Sequence, residues 1–329
     1  MLPNWLEITT VYQSTESNVV RAPVRRAEPG VGHERMKRSR AASILRGLIQ
    51  RLFGMAVLVA LMLSPIPALA THPWEALPPT PALPATETTG YAPVNGVRLF
   101  YAVYGHGRPL VLLHGGLANA SYWGLQIPTL ARQYQVIVID SRGQGRSTRN
   151  SAPIGYDVMA ADVLALLDSL HIDTATVIGW SDGAIVGLEL AIHHPDRLTG
   201  LFAFAGNSDP SGTKSAIESR AFAAYTGRVA YEYEALSPTP AAFKSLHDDI
   251  ARMWRTQPHF TAAQLHGIAV RTWIVGAEHD EVIKAEQPDW IAAQIPGAHE
   301  LILQGVGHFA FLQDPNGFNN ALLQFLSGP

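Results

Sequence analysis

One stretch limits the folds open to this chain more than any other: Val177-Ile178-Gly179-Trp180-Ser181-Asp182-Gly183. Just before the turn, Ala175 to Ile178 is an apolar, β-branched run that reads as a buried strand. From Asp182 onward, Ala184, Ile185, Leu188, Leu190 and Ala191 make an apolar helix. Strand, Gly-x-Ser-x-Gly and helix in direct succession is the context in which this motif carries meaning. So sharp a turn strains the serine backbone, and bulky neighbours would clash, hence the glycines. The turn lifts the hydroxyl above the sheet edge, and the helix aims its N-terminal N–H groups at the same spot. A Gly/Ser turn with no chemistry has the same bare pattern. The partners further along the chain separate the two readings.

Around this stretch the chain alternates strands and helices. Tyr91–Val94, Asn95-Gly96 and Val97–Val103 read as a hairpin with a tight turn. Pro109–Leu113 is a short apolar strand running into His114-Gly115-Gly116-Leu117, and a helical stretch is expected to about Gln133. Val136–Ile139 is a strand ending in Asp140-Ser141-Arg142-Gly143-Gln144-Gly145-Arg146-Ser147. A helix over Val158–Leu170 precedes the serine strand, and Leu198–Ala205 follows its helix. Residues 207–266 break the rhythm with two or three helices, with starts at Thr239-Pro240 and Thr261. The rhythm resumes at Val270–Val275, with a helix at Ala285–Ile295, a strand at Glu300–Leu303 and a closing helix to about Leu326. The expected fold class is therefore α/β. It is a mostly parallel sheet with helices on both faces, its core spanning 90–206 and 267–329, and a small helical cap at 207–266 inserted after the sixth strand. The cap carries Phe222, Tyr225, Tyr231, Tyr233, Phe243, Trp254 and Phe260. Most of these are expected to pack the cap onto the body, and one or two to face a ligand.

The first 89 residues are of another kind. Residues 1–35 lack periodicity and are expected to be disordered. Lys37, Arg38, Arg40, Arg46 and Arg51 then lead into an apolar run from Leu52 to Leu63 and a small-x-small site at Ala68-Leu69-Ala70. These are the parts of a secretory signal peptide, so translation is expected to start at Met36, with residues 1–35 an upstream extension. The apolar run is short of the roughly 20 residues of a comfortable membrane span. An uncleaved N-terminal anchor is the alternative. Residues 71–89 are proline-rich and read as an extended linker. The mature chain is expected to be exported, to the periplasm or beyond, without a stable membrane span. Of 24 Lys/Arg and 27 Asp/Glu, nine basic and four acidic residues fall in 1–70, leaving the rest at a net −8. An acidic body argues against nucleic acid as a partner. With no cysteine, thiolate nucleophiles and disulfides are excluded.

Ser181, Asp280 and His308 follow one another in that order, each just past a strand end, and such ends face one crevice in a parallel sheet. A serine hydroxyl is a poor nucleophile until a base takes its proton. His308 is the expected base, and Asp280 the group that fixes its tautomer and stabilises the imidazolium. The backbone N–H groups of Asp182 and Gly116 are the expected oxyanion donors. Trp180, Asp182 and Leu117 are expected to touch the substrate.

With these residues in hand, Gly179–Gly183, His114-Gly115-Gly116, Asp140–Ser147, Asp280 and Gly307-His308 together resemble the α/β-hydrolase fold superfamily over about residues 90–329. The Gly-Trp-Ser-Asp-Gly elbow is similar to that of biphenyl-hydrolase-like and valacyclovir-hydrolase-like serine esterases. The resemblance implies a Ser-His-Asp hydrolase acting on a small carboxylic ester, lactone or related acyl compound, with no cofactor. Serine at 181 argues against the dehalogenases and epoxide hydrolases of the fold, which use aspartate. An acyltransferase or perhydrolase would use the same residues, and a ligand-binding receptor on the same fold is a further alternative.

Several residues carry competing readings. His279 lies too close to Asp280 to be oriented by it and reach Ser181. Glu278 and Glu281 are alternative acids, and the run 278–281 is a weak metal pattern, usually a solvated loop. His193-His194 suits a helix C-terminus. His114 is expected to order the oxyanion loop, and Arg142 to shape its own loop rather than bind phosphate. The Asp182 side chain either complements the helix dipole or recognises a cationic group of the substrate.

Overall fold

Asn95 and Gly96 both take positive φ, 48° and 75°, as a two-residue hairpin turn requires. They join β1 (Thr88–Val94) to β2 (Val97–Tyr104), antiparallel, with Val94 opposite Val97. The computed structural model describes residues 72–86, 88–214 and 219–328. The expected extension at 1–35 and the signal or anchor segment at 36–70 lie outside the described residues. Among the described residues, no helix is long and apolar enough to cross a membrane.

The hairpin forms one edge of an eight-stranded sheet with β3 (Arg108–Leu113), β4 (Tyr134–Ile139), β5 (Ala175–Trp180), β6 (Leu198–Phe204), β7 (Thr272–Ala277) and β8 (His299–Leu303), in the order β1-β2-β4-β3-β5-β6-β7-β8. β2 runs antiparallel to β4, and every pairing from β4 to β8 is parallel. All six residues of β5 are buried, as expected of a strand covered on both faces. Neighbouring residues of β6 show what covers it, because successive side chains point to opposite faces. Leu201 lies against Gly187 of α3 (Asp182–His193), whereas Phe202 meets Phe318 and Phe325 of the closing helix.

Other elements sit close to where the sequence predicts them. α2 spans Tyr156–Ser169, and α7 spans Glu286–Gln294. Between β6 and β7 lie the cap helices α4 (Arg220–Leu236), α5 (Phe243–Thr256) and α6 (Ala262–His266). Thr261 starts α6 with a reciprocal capping box with Gln264, and Thr239 precedes the 3-10 turn Pro240–Ala242.

Two helices come out shorter than expected. The stretch after Leu117 is a 3-10 turn, Ala120–Trp123, and a single turn of helix, α1 (Ile127–Leu130). Asn119 caps the turn through Ser121 N–H, and Gly124 lies where a Cβ would meet Ala82 and Pro81. Local capping and close packing there override the periodicity. The closing helix is interrupted at Asp314-Pro315 into α8 (Ala310–Gln313) and α9 (Pro315–Ser327), because proline cannot donate the N–H that continuation needs.

The proline-rich segment holds a 3-10 turn, Pro73–Glu75, and is fastened to the body. Trp74 stacks between His72 and His279, at 4.2 and 3.8 Å between ring centroids. Gln313 Nε2 donates to Ala76 O at 3.0 Å. From α4, Arg228 donates to Pro78 O at 2.5 Å and to Leu77 O at 2.9 Å. Proline-rich backbone has carbonyls to spare, and a guanidinium supplies donors to them. Arg228→Ala is expected to cost about 1–3 kcal/mol, two charge-assisted bonds being lost from part-buried carbonyls. Urea midpoints of the full chain measure this, and an unchanged midpoint would show that the segment contributes no stability.

Candidate active site

Parallel pairing brings the C-terminal ends of β3, β5, β7 and β8 to one edge, and the residues singled out in the sequence follow them. Ser181, directly after β5, has φ 55° and ψ −119°, a region L-residues seldom occupy. The surroundings hold it there. Ser181 N–H donates to Phe204 O at 2.9 Å, and Ser181 O accepts from Ala184 and Ile185 N–H at 2.8 and 3.1 Å. The loop after β3 passes so close that a Cβ on Gly115 would stand 3.1 Å from Ser181 Cβ. The serine hydroxyl has no hydrogen-bond partner among the described residues.

Asp280 follows β7 and His308 follows β8. His308 Nδ1 lies 3.0 and 3.1 Å from the two Asp280 carboxylate oxygens. Asp280 Oδ1 also accepts the N–H groups of Val282 and Ile283 at 2.8 and 2.7 Å, so its carboxylate is fixed in its own loop. Both residues are buried. Burial pulls the His308 pKa down, but Asp280, with Glu281 and Asp182, outweighs it and holds the ring above the ordinary histidine value. His308 Nε2 has no partner among the described residues. The His308 ring lies 5.7 Å from the ring of Trp180, the residue before Ser181, so the two loops meet.

The His114–Ala118 loop is pinned from several sides. His114 Nε2 accepts from Ser141 N–H at 3.0 Å, so its proton sits on Nδ1, which donates to Gly115 O at 2.7 Å. Burial, partly countered by Asp140, lowers the His114 pKa and favours this neutral form. Leu117 takes φ 67°, and its N–H donates to Gln144 Oε1 at 2.5 Å. From the cap, the Tyr225 hydroxyl donates to Gly116 O at 2.6 Å. Gly116 N–H has no acceptor among the described residues. Asp182 N–H, at the first position of α3, has no partner within the helix. Gln144 and Tyr225 were not singled out from the sequence as loop anchors. Gln144 lies within the Asp140–Ser147 motif, but nothing there shows that its amide reaches back 27 residues.

The Asp182 carboxylate is buried and already engaged. It accepts from Trp254 Nε1 at 2.9 and 3.0 Å and from the Tyr156 hydroxyl at 3.0 Å. Among the described residues it therefore joins the start of α3 to cap helix α5 and to α2, and no cation faces it at contact distance. Burial pushes its carboxyl up from 3.8 to about 6, although Trp254, Tyr156 and His308 pull the other way. A carboxyl whose pKa is higher folded than unfolded binds more protons in the folded state between those two values. Its contribution to stability therefore falls as pH rises from 3.8 to about 6 and is level above. Asp182→Asn does not titrate. Its stability relative to wild type is expected to rise across that window and then plateau, read as the difference in urea midpoints. Two curves that stay parallel would show that the carboxyl has an ordinary pKa.

Trp180 lies in an aromatic cluster. It is 1% exposed, and its ring packs against Tyr122, Tyr225, Phe309 and Phe311 as well as His308. The same ring borders the loop after β3, where a Cβ on Gly115 would stand 3.1 Å from it. Leu117 is 5% exposed at the turn of its loop. Of the cap aromatics, Tyr225 and Trp254 reach the site. Tyr233 and Phe243 pack on each other at 5.5 Å, and Tyr231 is exposed.

The competing residues have other partners. His279 stacks on Trp74, and Glu278 accepts from Gly305 N–H at 2.9 Å. Arg142 is buried and doubly bonded to Asp162, both at 2.6 Å. His193 lies 3.4 Å from Glu189 one turn back on α3.

The profile of the family described as "alpha/beta hydrolase fold" matches residues 108–242. The protein named "Putative carbamate hydrolase RutD" of Caulobacter segnis is 31% identical over 271 residues, which cover 73% of this chain and 99% of that one. A solved enol-lactonase from Burkholderia xenovorans superposes with a TM-score of 0.59 at 22% identity, over 72% of this chain and all of that one. A solved N-acyl homoserine lactone degrading enzyme superposes at 0.56 with 27% identity, over 71% and 99%. In sheet order, elbow and relatives alike, this chain belongs to the alpha/beta hydrolase fold family and is a hydrolase.

Proposed function

We propose that the protein is a serine hydrolase that cleaves a small ester, lactone or related acyl compound through an acyl-enzyme. Ser181 is the nucleophile, His308 the base, Asp280 its orienting acid, and the N–H groups of Gly116 and Asp182 the oxyanion donors. The observation that carries this is the His308–Asp280 pair. One ring nitrogen is taken up by a fixed carboxylate and the other is free, while the ring lies 5.7 Å from that of Trp180, the residue before a strained serine whose hydroxyl is also free.

Attack forms the bond from Ser181 Oγ to the acyl carbon as the hydroxyl proton passes to His308 Nε2. The carbonyl oxygen gains negative charge between the two backbone donors. Collapse breaks the bond to the leaving group, which takes the proton from His308. Water then repeats the sequence on the acyl-enzyme and releases the acid. Asp280 keeps Nδ1 protonated and stabilises the charge on the ring throughout. The substrate class follows the shared chemistry of the relatives, one named for a carbamate and one for a homoserine lactone. Both are carbonyls with a heteroatom leaving group.

Labelling of the purified chain with a fluorophosphonate tests the reading. A panel of short p-nitrophenyl esters, N-acyl homoserine lactones and an aryl carbamate accompanies it. Labelling lost in Ser181→Ala and in His308→Ala, with turnover of at least one class, is the expected result. A folded wild-type protein that neither labels nor turns over any of them would defeat the proposal. The proposal extends to export, from the signal-like residues 36–70. Expressed from its own gene, the mature protein is expected to begin at Thr71, and a mass that includes residues 36–70 would refute cleavage.

A further inference from the structure

Glu281 stands next to Asp280, and its carboxylate is used in an unusual way. Oε2 accepts the backbone N–H of His308 at 2.9 Å. That approach depends on glycine at 307, where a Cβ would stand 2.6 Å from the same oxygen. Oε1 is buried and has no hydrogen-bond partner among the described residues. The neighbouring turn is braced separately, with Gly307 N–H donating to Gln313 Oε1 at 2.7 Å.

A glutamine would accept the same N–H without placing a charge in the interior. A buried carboxylate with one oxygen unpaired is costly unless a positive charge lies close. The groups around it identify that charge. From the loop after β7 come Asp280 and Glu281, and from the start of α3 comes Asp182, all facing His308. Lys214, arriving from the β6 side, spends its ammonium on the Asp280 carbonyl at 2.9 Å. His279 is stacked under Trp74. The partner left for Glu281 is His308 itself, in the state in which it carries a proton.

Resting on the serine-hydrolase reading above, we propose that Glu281 is a positioning residue. It holds the His308 backbone in place, and its charge stabilises the imidazolium that forms as Ser181 gives up its proton. The loop after β7 thus supplies two carboxylates to one histidine, Asp280 at the ring nitrogen and Glu281 at the main chain. Mechanical support alone would be served equally well by a neutral acceptor.

The test is the pH profile of fluorophosphonate inactivation of the full chain. In this reaction Ser181 Oγ bonds to phosphorus, fluoride leaves and the proton passes to His308. Wild type, Glu281→Gln, Glu281→Asp and Ser181→Ala are compared. Inactivation requires neutral His308, so its rate rises with pH through the histidine pKa. Glu281→Gln keeps the hydrogen bond and loses the charge. Its acid limb is expected to move to lower pH by about half a unit or more, and its plateau to fall about three- to tenfold. Glu281→Asp keeps a charge while shortening the reach, so its acid limb is expected to stay near wild type even where its plateau falls. Superimposable profiles for Glu281→Gln and wild type would overturn the inference and leave a purely structural anchor. If the Gln variant fails to fold, an acid limb in Glu281→Asp displaced to lower pH would overturn it instead. Wild type inactivated no faster than Ser181→Ala would overturn the serine-hydrolase reading itself, a separate outcome.

Discussion

Ser181→Ala is expected to lower kcat by about 10⁴- to 10⁶-fold while leaving the urea midpoint close to wild type. In the proposed mechanism the size follows from the hydroxyl, since without it no acyl-enzyme would form and only the proposed oxyanion donors and binding would remain. Stability should change little, because the hydroxyl has no hydrogen-bond partner among the described residues to lose. The strained φ of 55° is kept by contacts of the serine backbone, which alanine preserves. His308→Ala should lose a similar factor. The double variant should lose no more than either single one, because in the proposed mechanism nucleophile and base act as a unit. Single-turnover and steady-state rates on the best substrate of the ester, lactone and carbamate panel measure all three. A Ser181→Ala enzyme within tenfold of wild type would remove Ser181 from the chemistry, and losses that add in the double variant would remove the pairing.

Gly183→Ala is expected to have the largest effect on stability. Gly183 lies on the second residue of α3, where the helix crosses the end of β3, and an added methyl would overlap the Leu113 carbonyl. Gly179, at the other end of the motif, faces the backbone of Gly183 and Ala184 in the same way. No rotamer relieves an overlap with main chain, so strand and helix would have to part, at a cost of about 3–5 kcal/mol or more. The sign reverses at Gly227, inside α4, where an added Cβ meets nothing within 4 Å. There alanine is expected to gain about 0.5–1 kcal/mol through helix propensity. Urea midpoints of Gly183→Ala and Gly227→Ala, moving in opposite directions, check both. A Gly183→Ala protein as stable as wild type would mean the crossing is looser than described.

The local signals in the sequence translate well into the fold. Apolar runs of four to eight residues become strands, and the Asn95-Gly96 pair becomes the hairpin turn. The Thr261 and Thr239 signals lie where helical turns begin. Propensity and turn chemistry act within a few residues, so they can be read without a partner. What those signals leave out has a cause as well. The stretch after Leu117 keeps helical periodicity but is held by the local Asn119 cap and by the packing of Gly124 on Pro81, a contact that spans tens of residues. Trp180 lies beside the serine in sequence, and only the folded chain shows its ring packed with His308 and Phe311.

By itself, then, the sequence determined the class of fold, the order of the chemical residues and the strand ends they follow, since strand–helix alternation and parallel pairing require nothing more. It also supplied the oxyanion donors as candidates, because a loop after a strand and the first turn of a helix leave N–H groups unpaired wherever they occur. Only the tertiary structure decided which side chain serves which purpose. It gave the Asp182 carboxylate to Trp254 and Tyr156, the Glu281 carboxylate to the His308 backbone, and the proline-rich segment to Arg228 and Gln313. Those assignments depend on which distant surfaces meet and on which charges lose water when they do. Neither is encoded in the spacing of residues along the chain.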